Sequence, residues 1–393
     1  MEHLATSIEF QMSLLLFVSL AGYLLASRIG QPAVVGIILL GLLVGPSVLN
    51  LITYTDFIKS IAHLGAIVLL FVIGLEFSIK DLTNLKYCVI GVAGVLVPFA
   101  GGYWVSRAFD LGFESSLFIA VAVTATSIAI TADVLREMGR LQTPAARAII
   151  GAAVVDDILA LLCLSVVQQT LGGTFSTRRT LLIFVEAVAF LAVGAILGRK
   201  VLSPVMTRID CSFMSRKYPE VVFIFAMMVA FFYAMVSEWI GLSAIVGSFI
   251  AGVALGGAEL SCSKDFREGS EYLRIIFAAV FFVSLGILVD FKSIDLNILW
   301  FLLALTVIGM ITKVLGCGIP AKILGSDMRD SMVIGFGMTP RGEVAMIVAL
   351  IGLNRGILDQ PLYAALVAMS LLTTIFPPLI IRNWIYGKSR VRE

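Results

Sequence analysis

Two adjacent carboxylates, Asp156 and Asp157, stand in GAAVVDDILALL (residues 151–162), a segment otherwise apolar enough for a membrane-buried helix. An ionised side chain at the bilayer centre costs at least ~2.5–3.5 kcal/mol on insertion scales, so an acid placed there points to a function. Carboxylates are hard oxygen donors suited to small hard cations. Burial penalises their charged form, so a proton and a metal ion compete for the same group. Neighbouring helix residues project about 100° apart, so the two acids can border one cavity but need another helix to complete a site. One carboxyl would suffice as an interhelical hydrogen-bond anchor. The second adds repulsion, which argues against a purely structural pair.

Other charges fall within apolar runs. Lys313, in GMITKVLG, is the natural counter-charge, the alternative being a lysine near a span end that snorkels to the interface. A desolvated lysine of this kind can release a proton when a cation takes its carboxylate partner. Arg341 and Glu343, in TPRGE, flank a Pro-Gly interruption, where they make either a structural ion pair holding a broken helix or a direct ion contact. Glu76 and Asp133 lie near inner span ends, within reach of solvated headgroups. Glu186, Glu220 and Glu238 read as interfacial.

The elements that carry these residues are membrane helices. Of 393 residues 60% are hydrophobic and only 14% charged, and the mean hydropathy is +1.04, outside the range of a soluble globular chain. Apolar runs long enough to cross are read at 10–28, 32–50, 60–78, 86–107, 115–138, 145–169, 180–203, 219–238, 240–257, 270–290, 297–322, 329–353 and 361–386, thirteen in all. They are continuously apolar rather than alternating, which selects helices over a barrel. With the N-terminus outside, nineteen Lys and Arg residues fall on cytoplasmic segments and six on outer ones, so the positive-inside rule sets N-out and C-in. The net charge of +2 excludes a nucleic-acid surface. Cys88, Cys163, Cys211, Cys262 and Cys317 have no metal-ligand spacing and read as unpaired thiols. MEHLATSIEF lacks the basic start and cleavage site of a signal peptide, so the first apolar run is expected to stay as a span. No GxSxG or HExxH motif points to an enzyme.

The chain also repeats itself. GQPAVVGIILLGLLVG (30–45) matches GLSAIVGSFIAGVALG (241–256) at an offset of 211, and LLFVIGLEFSIK (69–80) matches FFVSLGILVDFK (281–292) at 212. The second unit begins seven spans after the first, an odd number, so the units cross in opposite directions. That is the inverted-repeat plan of secondary transporters, with a site where broken helices meet near the midplane. Further along, VTATSIAIT (123–131) lies opposite FGMTPRGEV (336–344), with Thr126 against Thr339. Gly337, Pro340 and Gly342 interrupt one helix, and Thr124, Thr126, Ser127 and Thr131 offer hydroxyls to freed backbone groups in the other.

In HLGAIVLLFVIGLEFSIKDL, ATSIAITADVLREMG, GAAVVDDILAL, TKVLG and GMTPRGEVAMI, in that order, the chain resembles the second cation:proton antiporter family, most closely its NapA-type sodium/proton antiporters. The motifs extend over nearly the whole chain. The resemblance implies an all-α fold of thirteen transmembrane helices with inverted-topology repeats and two crossed broken helices. It implies a dimerisation domain at 1–85 and 219–290, a linker helix at 180–203, and a core transport domain at 86–169 and 297–386 that moves like an elevator within a homodimer. It also implies that Asp157 is the main ion-binding carboxylate, that Asp156 pairs with Lys313, and that Thr126 and Ser127 border the site. Asp133 departs from the pattern, relatives of this type having a basic residue there. The expectation is an electrogenic Na⁺(Li⁺)/H⁺ antiporter of an inner membrane, surrounded by lipid, with no cofactor beyond the transported ions. A K⁺(Na⁺)/H⁺ antiporter on the same scaffold and a sodium-coupled symporter of an organic solute are the alternatives. Kef-type relatives have Gln-Asp in place of Asp-Asp, which separates them from this chain.

Overall fold

A computed structural model describes residues 7–77, 84–171, 176–218, 220–258, 266–289, 291 and 295–387, without the side chains of 214, 216, 267 and 343. Of the loop cations used for orientation, Lys80, Lys264, Lys292, Lys388, Arg390, Arg392 and the Arg216 and Arg267 side chains lie outside the described residues, as does Cys262. The described cysteines are unpaired.

The helices run in chain order α1 Ile8–Arg28, α2 Ala33–Val44, α3 Asp56–Gly74, α4 Leu85–Ala108, α5 Phe113–Thr124, α6 Ile128–Glu137, α7 Pro144–Leu171 and α8 Thr177–Leu197. The last continues through a π-helical turn, Gly198–Leu202, into α9 Ser203–Asp210. Then follow α10 Phe213–Lys217, α11 Glu220–Ile240, α12 Ala244–Leu255, α13 Phe266–Ile287, α14 Leu296–Ile323, α15 Met328–Gly337, α16 Glu343–Asn354 and α17 Gln360–Ile380, which runs into a second π-helical turn, Ile381–Ile385. Polar side chains start several of them: Ser7, Asn84, Ser243, Asp295, Asp327 and Asp359 each accept a hydrogen bond from a first-turn N–H.

Among the described residues, ten helical stretches are long and apolar enough to cross a membrane, with three shorter apolar helices beside them. The chain is a multi-pass membrane protein. The shorter helices arise where an apolar run expected to cross is cut. The run at 32–50 is helical only over Ala33–Val44, because Gly45 and Pro46 end it in a turn. Twelve residues rise about 18 Å, less than the hydrocarbon core of about 30 Å. The run at 329–353 is divided between α15 and α16 by residues 338–342. The run at 115–138, one of the ten long stretches, is also interrupted, between α5 and α6 at residues 125–127, a break in a stretch that contains neither Gly nor Pro.

The chain forms two compact units, one of residues 1–55, 84–176 and 282–393, the other of 56–83 and 177–281. Both Asp156–Asp157 and Lys313, and both helix breaks, fall in the first. Each unit contains one copy of a single packing motif. In the first, a side chain at Gly41 would strike the Val283 carbonyl, and one at Gly286 would strike the Ile38 carbonyl. In the second, Gly252 stands against the Phe71 carbonyl and Gly74 against that of Phe249. The offsets of 211 and 212 carry Gly41 to Gly252, Ile38 to Phe249, Phe71 to Val283 and Gly74 to Gly286. The repeat seen in the letters is therefore also a repeat of contacts, in which backbones approach too closely for any Cβ.

A side chain at either member of this motif must push two helix backbones apart. Gly252→Val and Gly41→Val are each expected to destabilise by about 1–3 kcal/mol or more, read as a lowered Tm of the detergent-purified protein. An unchanged Tm for both would remove the motif from the forces holding the helices together.

Candidate functional site

The two breaks meet. Ser127 N–H, at the end of the first, donates to the Pro340 carbonyl of the second at 2.8 Å. Thr126 Oγ1 donates to Met338 O at 3.2 Å, and Thr131 Oγ1 to Gly337 O at 2.6 Å. Thr124 closes locally on Val121 O at 2.7 Å. All four hydroxyl residues are buried. Gly342 lies against this contact: a Cβ there would come 2.6 Å from Ser127 Oγ.

A helix break in an apolar interior frees carbonyls that need donors. In the second break each carbonyl from 337 to 341 has one. Beyond Gly337, Met338 and Pro340 just described, Arg341 Nη1 donates to Thr339 O at 2.6 Å and approaches Met338 O at 3.4 Å, and Thr374 Oγ1 of α17 donates to Arg341 O at 2.9 Å. The Thr374 hydroxyl shares its one proton with Ser370 O of its own helix, also at 2.9 Å. Arg341 Nη2 reaches Gly309 O of α14 at 3.3 Å. The fully buried guanidinium is thus a strut between carbonyls, a use that suits its planar fork of donors.

The first break depends on a different cation. Lys313 Nζ, fully buried on α14 and one helical turn beyond Gly309, donates to Thr124 O at 2.7 Å and to Asp156 Oδ1 of α7 at 2.6 Å. One ammonium therefore ties the broken helix to the acid. Asp156 is itself buried, and among the described residues its Oδ2 has no hydrogen-bond partner, nor have Ser127 Oγ and Arg341 Nε. Asp157 is half-buried and takes part in interactions of its own. Glu76 and Asp133 are also partly buried. The Glu343 side chain lies outside the described residues; the hydrogen bonds described for Arg341 go to carbonyls.

The sequence alone did not single out Thr374 or Gly309. Thr374 lies in SLLTTIF, where threonines read as ordinary helix packing, and Gly309 contributes only a carbonyl, which has no signature in the sequence.

The profile of the family described as sodium/hydrogen exchanger, transmembrane, matches residues 14–384. The chain belongs to this family. Among its relatives, it is 33% identical over 386 residues to the Na⁺/H⁺-K⁺ antiporter GerN of Bacillus cereus, covering 98% of each chain. It is 30% identical to a Na⁺/H⁺ antiporter of Enterococcus hirae, covering 94% of this chain and 96% of that one. It is 32% identical to the high-affinity Na⁺/H⁺ antiporter NhaS3 of Synechocystis, covering 86% of this chain and 73% of that one. These relatives are named as transporters, not enzymes. The fold is shared with the solved sodium proton antiporter MjNhaP1 of Methanocaldococcus jannaschii, at 18% identity, TM-score 0.69 and 95% coverage of both chains. A second MjNhaP1 structure matches at TM-score 0.73.

In this chain, breaking the buried ion pair from one side must cost more than removing it whole. Lys313→Ala leaves Asp156 uncompensated and is expected to destabilise by about 3–5 kcal/mol. Adding Asp156→Asn should recover most of the lost Tm in detergent; a double variant no more stable than Lys313→Ala would argue against the pair. Thr374→Val keeps the shape but strips the donor from Arg341 O, for an expected loss of about 1–3 kcal/mol. Thr374→Ser should retain near-native stability, and equal Tm values for Val and Ser would argue against the hydrogen bond.

Proposed function

We propose that this chain is a monovalent cation/proton antiporter that exchanges Na⁺ or Li⁺ for H⁺. The observation that carries the reading is the Lys313–Asp156 pair, buried where two broken helices meet and adjacent in sequence to half-buried Asp157. Asp157 is the carboxylate that carries the cation or the proton, with Asp156 as its neighbour. Hard oxygen donors from Thr126 and Ser127 complete the site, the Ser127 hydroxyl and Asp156 Oδ2 being oxygens that no described protein group uses.

The cycle follows from competition. A cation entering at the acids weakens the hold of Asp156 on Lys313, and the desolvated ammonium and a carboxyl give up protons; their return displaces the cation. If more than one proton moves per monovalent cation, net charge crosses with each turnover and exchange is electrogenic. Membership in the sodium/hydrogen exchanger family and the antiporter names of its relatives support exchange over solute symport.

Alternating exposure of one site fits an elevator motion of the core segments (86–169 and 297–386) against a scaffold (1–85 and 219–290), joined by the helix at 180–203. The ten long and three short apolar helices of the fold are in keeping with thirteen passes of inverted repeats. The charge bias of the loops favours an inner-membrane protein with its N-terminus outside and its C-terminus in the cytoplasm, working as a homodimer. A second reading, in which K⁺ is also carried, draws on the name of GerN, a Na⁺/H⁺-K⁺ antiporter.

Proteoliposomes with an imposed pH gradient, challenged in turn with Na⁺, Li⁺ and K⁺, should dissipate the gradient with Na⁺ and Li⁺, at a rate that depends on membrane voltage. No cation-driven proton movement would sink the antiporter reading, and voltage-insensitive exchange would sink electrogenicity. Asp157→Asn should abolish exchange, by at least a hundredfold, without loss of the folded protein. Wild-type exchange in that variant would move the site elsewhere.

A further inference from the structure

At one end of the first compact unit, four separate pieces of chain converge: the start of α2, the end of α6 with the turn into α7, the start of α15, and the segment after α17. Helix α2 begins at Pro32, which offers no side-chain cap. Its first N–H, that of Ala33, donates instead to Glu137 Oε2 at the end of α6, at 2.8 Å, a carboxylate at a helix N-terminus where negative charge is favoured. The other oxygen, Glu137 Oε1, accepts from Arg382 Nη1 at 3.2 Å, so one carboxylate joins α2 to the C-terminal π-helical turn. Beside it, Gln31 and Asn383 exchange amide hydrogen bonds: Asn383 Nδ2 donates to Gln31 Oε1 at 2.9 Å, and Gln31 Nε2 to Asn383 Oδ1 at 3.3 Å, across 352 residues of sequence.

The same terminal segment is anchored on its other side. Two guanidiniums pack over the Tyr386 ring, with Arg140 Cζ 5.0 Å and Arg329 Cζ 4.7 Å from its centroid, and Arg329 Nη2 also donates to Tyr386 O at 3.3 Å. Arg140 follows the first broken helix and Arg329 opens the second, so the ring is fastened to both. The two sets of contacts differ in kind. Tyr386 makes an anchor among segments of the core. Glu137–Ala33 and Gln31–Asn383 make a catch of partly exposed polar bonds, individually weak enough to open and reform, with Glu137 steadied by Arg382.

We propose that residues 381–386 form a latch: a strap carried by the two broken helices through Tyr386, which closes this end of the transport unit by catching the start of α2, and which must release for exchange to proceed. The proposal rests on the elevator reading above, in which Gln31 and Ala33 belong to the scaffold and Glu137, Arg382 and Asn383 to the moving core. The catch then spans the surface along which the two slide. If α2 instead travels with the core, the catch never opens, and the two cases give opposite results when it is locked.

The test uses the full chain with its five native cysteines replaced and with Gln31→Cys and Asn383→Cys introduced, reconstituted in proteoliposomes and joined by a short bifunctional thiosulfonate whose disulfides a reductant cleaves. Before cross-linking, Na⁺-driven proton movement should be present, as in the wild-type chain and the cysteine-free parent; if the wild-type chain shows none, the antiporter reading has failed, not the latch. After complete cross-linking, exchange should fall at least tenfold and return on reduction. Undiminished exchange by fully cross-linked protein would overturn the latch. In the same background Glu137→Gln, which surrenders the charge pair and weakens the cap on α2, should lower the rate of cross-link formation several-fold. An unchanged rate would overturn the claim that these contacts act together.

Discussion

A backbone carbonyl in hydrocarbon must find a donor, and the site is organised around two places where the helices stop supplying their own. The breaks solve the problem unequally. The second, from Gly337 to Arg341, is closed without Lys313: by the hydroxyls of Thr131, Thr126 and Thr374, a guanidinium in the middle and the Ser127 amide. The first has Lys313 at the Thr124 carbonyl, and the same ammonium holds Asp156. A structural need of the fold and a chemical group of the site have thus been given to one side chain. In the proposed cycle, where a cation competes for the acids, Lys313 keeps a backbone partner, so the helix end is not abandoned as the ion pair loosens.

This also separates the two buried cations on functional grounds. Arg341 is always charged and its fork is spread over carbonyls of the second break and of α14, the latter at Gly309, a helical turn before Lys313. It is suited to holding geometry. Lys313 is a compact charge on a flexible stem, with two acceptors 2.6 and 2.7 Å away. An arginine at 313 would preserve the charge and lose that freedom.

Hydropathy alone made the membrane class and most helix positions legible, because a helix of about 20 consecutive apolar residues matches the thickness of a bilayer and suits little else. The break at TPRG was legible too, since Pro340, Gly337 and Gly342 disrupt helical bonding by known means. The break at Ala125–Ser127 was harder: no Gly or Pro marks it, and it stood out only because the repeat set it opposite the other. Asp156, Asp157 and Lys313 announced themselves by cost. Thr374, Gly309 and the Gln31–Asn383 contact did not, because a hydroxyl, a carbonyl and an amide are cheap in many settings and their partners lie 32 to 352 residues away. Glu137 and Arg382, at helix ends, look like any interfacial charges until the fold brings them together.

The distribution of likeness between the repeats carries a last argument. Where α2, α3, α12 and α13 pack, the repeats keep the same glycines against the same carbonyls, in one unit and again in the other. At the breaks they part: TATSIA offers hydroxyls and, at Thr124, a carbonyl held by a lysine, whereas MTPRG supplies its own guanidinium. In the proposed alternating cycle, two structural states of nearly equal energy call for a symmetric scaffold, since exchanging the roles of two like repeats changes little. A site for one small cation calls for the opposite, a single cluster of acids with a counter-charge placed on one side of it. Symmetry in the packing and asymmetry at the breaks are therefore compatible demands, met by different residues of the same repeat.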